Sequence, residues 1–309
     1  MFMLIKPHTN FDFMGTRFVW IGISAVLIIA SLILFFTKGL NYGVDFTGGV
    51  EMNVRFSDAT VETQKVREAM KAVKVEDIQV QKFSDSSVNE YLIRVKSADE
   101  KLGGVTKDIE NALDLNFAKG SYEVRKVDVV GPRVGKELKL SGVYALIYSI
   151  IGIFIYIVIR FDHRFSVGAI VALLHDPLII IGLFSLTGSK FTLSTVAALL
   201  TVVGYSVNDT VVVFDRIRET MSHQKGTSFY DIINRSVNDT LSRTILSSGV
   251  TMLVVVMLLI FGGATLWDFS LALTVGIVVG TYSSIFIASP IVLYLEDLAR
   301  KKAEAAKAR

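Results

Sequence analysis

Four ionisable side chains interrupt otherwise apolar stretches of this sequence: His175 and Asp176 in VALLHDPLII, Asp209 in GYSVNDTVVVFDRIRE, and Arg243 in LSRTILSSGV. Each costs about 2.5 to 3.5 kcal/mol in a membrane on insertion scales, so a helix that keeps one turns it toward protein or water. On adjacent antiparallel helices Asp209 and Arg243 fall at similar depth, where opposite charges pair and offset part of the desolvation. Burial disfavours a charged carboxylate and a nearby guanidinium favours it, so moving the arginine or admitting water alters proton affinity. That chemistry suits proton coupling: a proton crossing the membrane releases about 2.3 kcal/mol per 100 mV, which does conformational work if protonation changes helix packing. A permanent salt bridge joining two helices fits the same residue types. Asp239, four residues before Arg243, is a second acid within the arginine's reach. His175 and Asp176 lie deeper, as a second relay station or as donors to carbonyls freed by a kink at Pro177.

The elements that must hold these groups are membrane helices. Of 309 residues 51% are hydrophobic, and apolar stretches run over roughly 18–37, 140–159, 165–187, 191–214, 241–263 and 267–295. Each is long enough to cross a hydrocarbon core of about 30 Å. The first has no A-x-A-like cleavage site after it and is expected to remain as a span. Basic residues cluster in alternate connections: Lys6 and Arg17, then Arg160 and Arg164, then Arg216, Arg218, Lys225 and Arg235, then the tail ARKKAEAAKAR. The other connections hold only Lys190, apart from the long segment after the first span. By the positive-inside rule both termini are cytoplasmic and that long segment faces outward. The expected division is 1–37 for the cytoplasmic N-terminus and first helix, 38–138 for an extracytoplasmic domain, 139–296 for a five-helix bundle, and 297–309 for a basic tail.

The long segment carries 33 of the chain's 61 charged residues, 16 basic and 17 acidic. Such a balance indicates no nucleic-acid surface. The absence of cysteine excludes a disulfide framework, a thiolate metal site and a cysteine nucleophile. VEMNVRF, DIQVQKF, NEYLIRVK and YEVRKVDVV read as strands, with the turn-rich SDSSVNE before the third. TVETQKVREAMKAV, with Thr60 as its cap, and DEKLGGVTKDIENALDLNF read as helices. The order βαββαβ suits a ferredoxin-like α+β domain, two helices on one sheet face and the other free to meet a partner. Gly22, Gly152, Gly168, Gly182, Gly204 and the GxxxG pair Gly276 and Gly280 are candidate close helix contacts. SVNDT occurs at 206–210 and again at 236–240, too short to define a repeat. No phosphate loop, metal cluster or nucleophile–base pair appears, so an enzyme is not expected.

Across most of its length the chain resembles the SecD/SecF protein-export family, on NYGVDFTGGVEM after the first span, VGPRVGKEL before the second, HDP, GYSVNDTVVVFDRIRE and the arginine of SRT. The resemblance implies a six-helix half of a resistance-nodulation-division-like fold in the bacterial cytoplasmic (inner) membrane. It implies SecD as the other half, the SecYEG channel, YajC and unfolded preprotein as partners, and protons as the coupling ion with no other cofactor. The family's proton-path acid and arginine fall on Asp209 and Arg243, and SecD would bring a further acid in trans. Gly43, Asp45, Gly48 and Gly49 at one junction, with Gly131, Pro132 and Gly135 at the other, would form hinges for the outer domain. Two other readings stand beside this one: a proton-coupled exporter of small molecules or lipids, and a static docking scaffold with a fixed bridge.

Overall fold

The computed structural model describes residues 9–73, 75, 78–82, 89–96, 102–224 and 226–307. Lys6, Lys225 and the turn expected at 84–88 lie outside them. The elements run α1 (Arg17–Thr37), β1 (Asn41–Tyr42), α2 (Val44–Thr47), β2 (Gly49–Phe56), α3 (Thr63–Met70), β3 (Ile78–Lys82), β4 (Asn89–Val95), α4 (Leu102–Asn116) and β5 (Tyr122–Val130). The bundle follows with α5 (Pro132–Arg160), α6 (His163–Thr187), β6 (Lys190–Phe191), α7 (Leu193–His223), α8 (Phe229–Phe261), α9 (Gly263–Ser283), a π-turn (Ser284–Ala288) and α10 (Ser289–Lys307). Six helices, the last combining α9, the π-turn and α10, are long and apolar enough to cross a membrane.

The helices outrun the apolar stretches that announce them. The helix of the fifth stretch starts at Phe229 rather than 241, and α7 continues to His223 through RIRETMSH. Arg, Glu, Thr and Met sustain a helix beyond the hydrocarbon, so hydropathy marks the immersed part and not the helix ends. Several apolar faces remain exposed, among them Phe18, Val26 and Ile33 of α1 and Val250, Leu253 and Ile260 of α8.

The inserted domain keeps the expected order, and its sheet runs β3-β4-β2-β5, antiparallel throughout. Alternation along β2 and β4 sends Met52, Val54, Phe56, Tyr91, Ile93 and Val95 against Val66 and Met70 of α3 and Ile109 and Leu113 of α4. The opposite face is not free. Asn53, Leu92 and Arg94 are each 5% exposed, and with Glu51 they lie over Lys190 and the start of α9 at Ala264, Thr265 and Asp268. A sheet inserted directly between two spans is held close to the bundle, which covers its polar face. Thr60 is not the cap of α3: Glu62 occupies that position, while Thr60 bonds through N and Oγ1 to Asp58.

Helix contact through glycine is real at some of the expected positions. A methyl group at Gly276 would strike Val202, one at Gly280 would meet Ser206 Cβ at 3.0 Å, and Gly168 and Gly182 press on Ala288 and Ser31. Gly22, Gly152 and Gly204 face nothing within 4 Å among the described residues.

Candidate functional site

Asp209 lies on α7 where Gly276 and Gly280 let α9 approach closely, and it is 3% exposed. Ser248 Oγ of α8 donates to Asp209 Oδ2 at 3.3 Å, and Thr281 of α9 meets the same hydroxyl at 2.8 Å. Thr281 also lies within hydrogen-bonding reach of the carboxylate, and either hydroxyl of the Ser248–Thr281 pair can donate to the other. Three helices therefore converge on one carboxylate through hydroxyls. Arg243 does not complete this set. Among the described residues no ion pair joins it to Asp209, and it stands exposed on α8, on the face that continues through Leu246, Val250 and Leu253. The expected intrachain bridge is thus not formed among the described residues: Arg243 is exposed on α8, one to two turns from Ser248, near enough for its charge to act on Asp209 but not in contact with it. Asp239 does not take the arginine either, because Arg216 of α7 already holds it.

His175 and Asp176 form a separate buried group, 2% and 0% exposed. His175 Nδ1 lies 2.8 Å from Asp176 Oδ1, and Nε2 lies 3.1 Å from Ser24 Oγ of α1. Ser206 of α7 and Ser283 of α9 donate to Asp176 Oδ2. Pro177 is inside α6, but the side-chain hydrogen bonds of His175 and Asp176 run to each other and to other helices, not to freed carbonyls. Asp209 and Asp176 draw on adjacent stretches of α7 and α9, through Ser206 and Asp209 on one and Thr281 and Ser283 on the other. The π-turn begins immediately after Ser283. Sequence reading missed these serines and threonines, whose signal was their presence in apolar helices.

The motif residues expected as hinges meet at one joint. Gly48 has φ +73°, and a methyl group there would come within 2.8 Å of Pro132 Cα. One at Gly135 would come within 2.9 Å of Gly48 N. Gly49, at φ +124°, abuts the Val95 carbonyl. Gly131 caps α5 with Pro132 at its first position, where a missing N–H costs nothing. Gly43 donates to Phe191 O at 2.9 Å, and Asp45 accepts from Leu193 N at 2.8 Å, which caps α7.

Beside this joint lies a charge cluster that sequence reading did not assemble. Glu51 accepts from Arg94 Nε at 3.1 Å and from Lys190 Nζ at 3.2 Å, and Asp268 accepts from Lys190 N at 3.1 Å. Burial holds the Lys190 ammonium below its ordinary value, against the opposing pull of Glu51.

Membrane-length helices, a domain inserted after the first of them, a buried carboxylate on one helix and an exposed arginine on the next describe a membrane transport component. A family model described as protein export membrane protein SecD/SecF, C-terminal, matches residues 110–298, and one for the SecD/SecF GG motif matches residues 33–60. The protein translocase subunit SecF of Calditerrivibrio nitroreducens is 43% identical over 96% of this chain and 98% of its own length. That of Rhodothermus marinus is 44% identical over 99% and 100%. The crystal structure of SecDF, a translocon-associated membrane protein from Thermus thermophilus, superposes with TM-score 0.84 at 34% identity, over 96% of this chain and 40% of that one. A SecDF structure in a super-membrane-facing form gives 0.71 at 34% identity, over 99% of this chain and 41% of that one. The chain belongs to the SecD/SecF protein export family, among its SecF-type translocase subunits. It spans about two fifths of the solved SecDF chains.

Proposed function

We propose that this subunit uses the proton-motive force to promote preprotein export across the bacterial cytoplasmic membrane, paired with SecD and acting beside SecYEG and YajC. In this reading both termini are cytoplasmic, and the inserted domain, ferredoxin-like in element and strand order, faces outward. Protons are the coupling ion, and the substrate is an unfolded preprotein. Asp209 gains and loses the proton, and Arg243 together with an acid from SecD sets its affinity.

The observation that carries this reading is the incompleteness of the site. Asp209 is buried with the hydroxyls of Ser248 and Thr281 as its partners among the described residues, while Arg243 on the next helix is exposed and has no ion-pair partner among them. An arginine on a lipid-facing surface costs several kcal/mol, so a partner helix bearing an acid is expected to cover it. The glycine joint beside α5 would turn the resulting helix movement into rotation of the outer domain.

The test is Asp209→Asn in the subunit reconstituted with SecD and the channel. Assembly is expected to persist while export driven by an imposed proton gradient disappears. Normal gradient-driven export would overturn the reading.

A further inference from the structure

Hydrogen-bond counting fixes how many protons the His175–Asp176 pair carries. Tyr282 has one hydroxyl proton and gives it to Trp20 O at 2.7 Å. At the 2.8 Å contact between Ser24 Oγ and Tyr282 Oη, Ser24 must therefore donate. Ser24 has then spent its own proton, so at the 3.1 Å contact His175 Nε2 donates to it. One position is left, the 2.8 Å contact between His175 Nδ1 and Asp176 Oδ1. It holds one proton, on the imidazole of an ion pair or on the carboxyl of a neutral pair. In either form the pair has no net charge, which is what burial in a membrane bundle favours.

We infer that His175 and Asp176 form a proton-retaining lock that positions Asp209, not a station through which protons pass. The inference rests on the reading of Asp209 as the titrating site. Asp176 Oδ2 accepts from Ser206, one turn before Asp209 on α7, and from Ser283, two residues after Thr281 on α9. The lock thus pins α7, which presents Asp209, and α9, which presents Thr281, and through Ser24 it ties them to α1. The titratable group bonded into the network is Tyr282 of α9; the contributions of α1 and α7 are serine hydroxyls. The carboxylate of Asp209 has its own partners in Ser248 and Thr281 and, among the described residues, shares no hydrogen bond with this network.

Asparagine discriminates a lock from a relay. Its amide nitrogen can donate to Nδ1 of a neutral His175 and its oxygen can accept from Ser206 and Ser283, reproducing a protonated Asp176 atom for atom. It cannot release a proton. Asp176→Asn, reconstituted with SecD and the channel, is expected to keep gradient-driven export within about twofold, whereas Asp176→Ala, which deprives both serines of an acceptor, lowers it by about tenfold or more through misplacement of the site. In the unsubstituted complex, nitrogen-15 resonances of His175 are expected to stay the same with and without an imposed proton gradient. Export abolished by Asp176→Asn in an assembled complex, failure of that variant to assemble, or a His175 spectrum that responds to the gradient would each overturn the inference. The nitrogen-15 measurement does not depend on export, so failure of the Asp209 reading, seen with Asp209→Asn, is distinguishable from failure of the lock.

Discussion

Arg216 places Nη2 at 2.6 Å and Nε at 3.1 Å from the same oxygen of Asp239, binding the two helices that carry Asp209 and Arg243. This pair keeps Asp239 occupied. Without Arg216, Asp239 would be free to pair with Arg243 one turn along α8, the spacing at which opposite charges attract on a helix. Arg216→Met is therefore expected to lower gradient-driven export severalfold by capturing Arg243, and Arg216→Met combined with Asp239→Asn to restore it. An active single variant, or a double variant as weak as the single, would show that Asp239 does not compete for the arginine. Both are read by export into vesicles under an imposed gradient.

Gly48 and Gly135 leave room for backbone to touch backbone where the inserted domain joins α5. Gly135→Ala puts a methyl group 2.9 Å from Gly48 N, and Gly48→Ala adds a left-handed φ of +73° to a 2.8 Å approach on Pro132. Either substitution is expected to destabilise the joint by about 1 to 3 kcal/mol. Gly48→Ala is the worse of the two, since it carries strain as well as crowding. Hydrogen exchange at the amides of Gly135 and Gly49 is the measure, and protection equal to the unsubstituted protein would argue against a close-packed joint.

The spans and the strand order of the inserted domain were legible because hydropathy and period-two alternation report burial directly. Tyr122–Val130 was readable as a strand to its last residue. The fate of each charge was not legible. Asp209 and Asp239 sit in identical SVNDT segments, yet one is buried beneath a serine and the other is gripped by Arg216. Which neighbour reaches a carboxylate depends on helix rotation and register, and periodicity within one helix does not contain that information. The buried polar face of the sheet was missed for the same reason: Glu51, Asn53 and Arg94 have the alternation of a solvent-facing row, and much of what covers them, Lys190 and the start of α9, is distant in the chain.

Glu51 is the shared acceptor of Arg94 and Lys190 at 15% exposure, so Glu51→Gln leaves two cations facing each other with no acid between them. Removing one partner of a fully buried ion pair costs about 3 to 5 kcal/mol, and the residual exposure here makes the cost somewhat smaller. The loss is expected to be local, loosening the seat of the sheet on the bundle while the domain's apolar core stays intact. Hydrogen exchange is then expected to rise at Asn41, Tyr42 and Lys190 with little change at Ile93 or Ile109. A uniform rise would mean that the cluster supports the domain itself and not its seat.

Lys190 carries a pH signature of the same cluster. Burial lowers its folded-state pKa from the ordinary 10.5, so between that lowered value and 10.5 the unfolded chain binds more protons at this site than the folded one. Stability attributable to Lys190 therefore rises with pH through that window, and it falls as pH drops and the buried ammonium must be charged. Lys190→Met removes the titration. Subtracting the variant's stability from that of the unsubstituted protein, by thermal unfolding in detergent at a series of alkaline pH values, is expected to leave a difference that grows in favour of the lysine as pH increases. A flat difference would mean that the pull of Glu51 on Lys190 cancels its burial, and one that slopes the other way that it outweighs it.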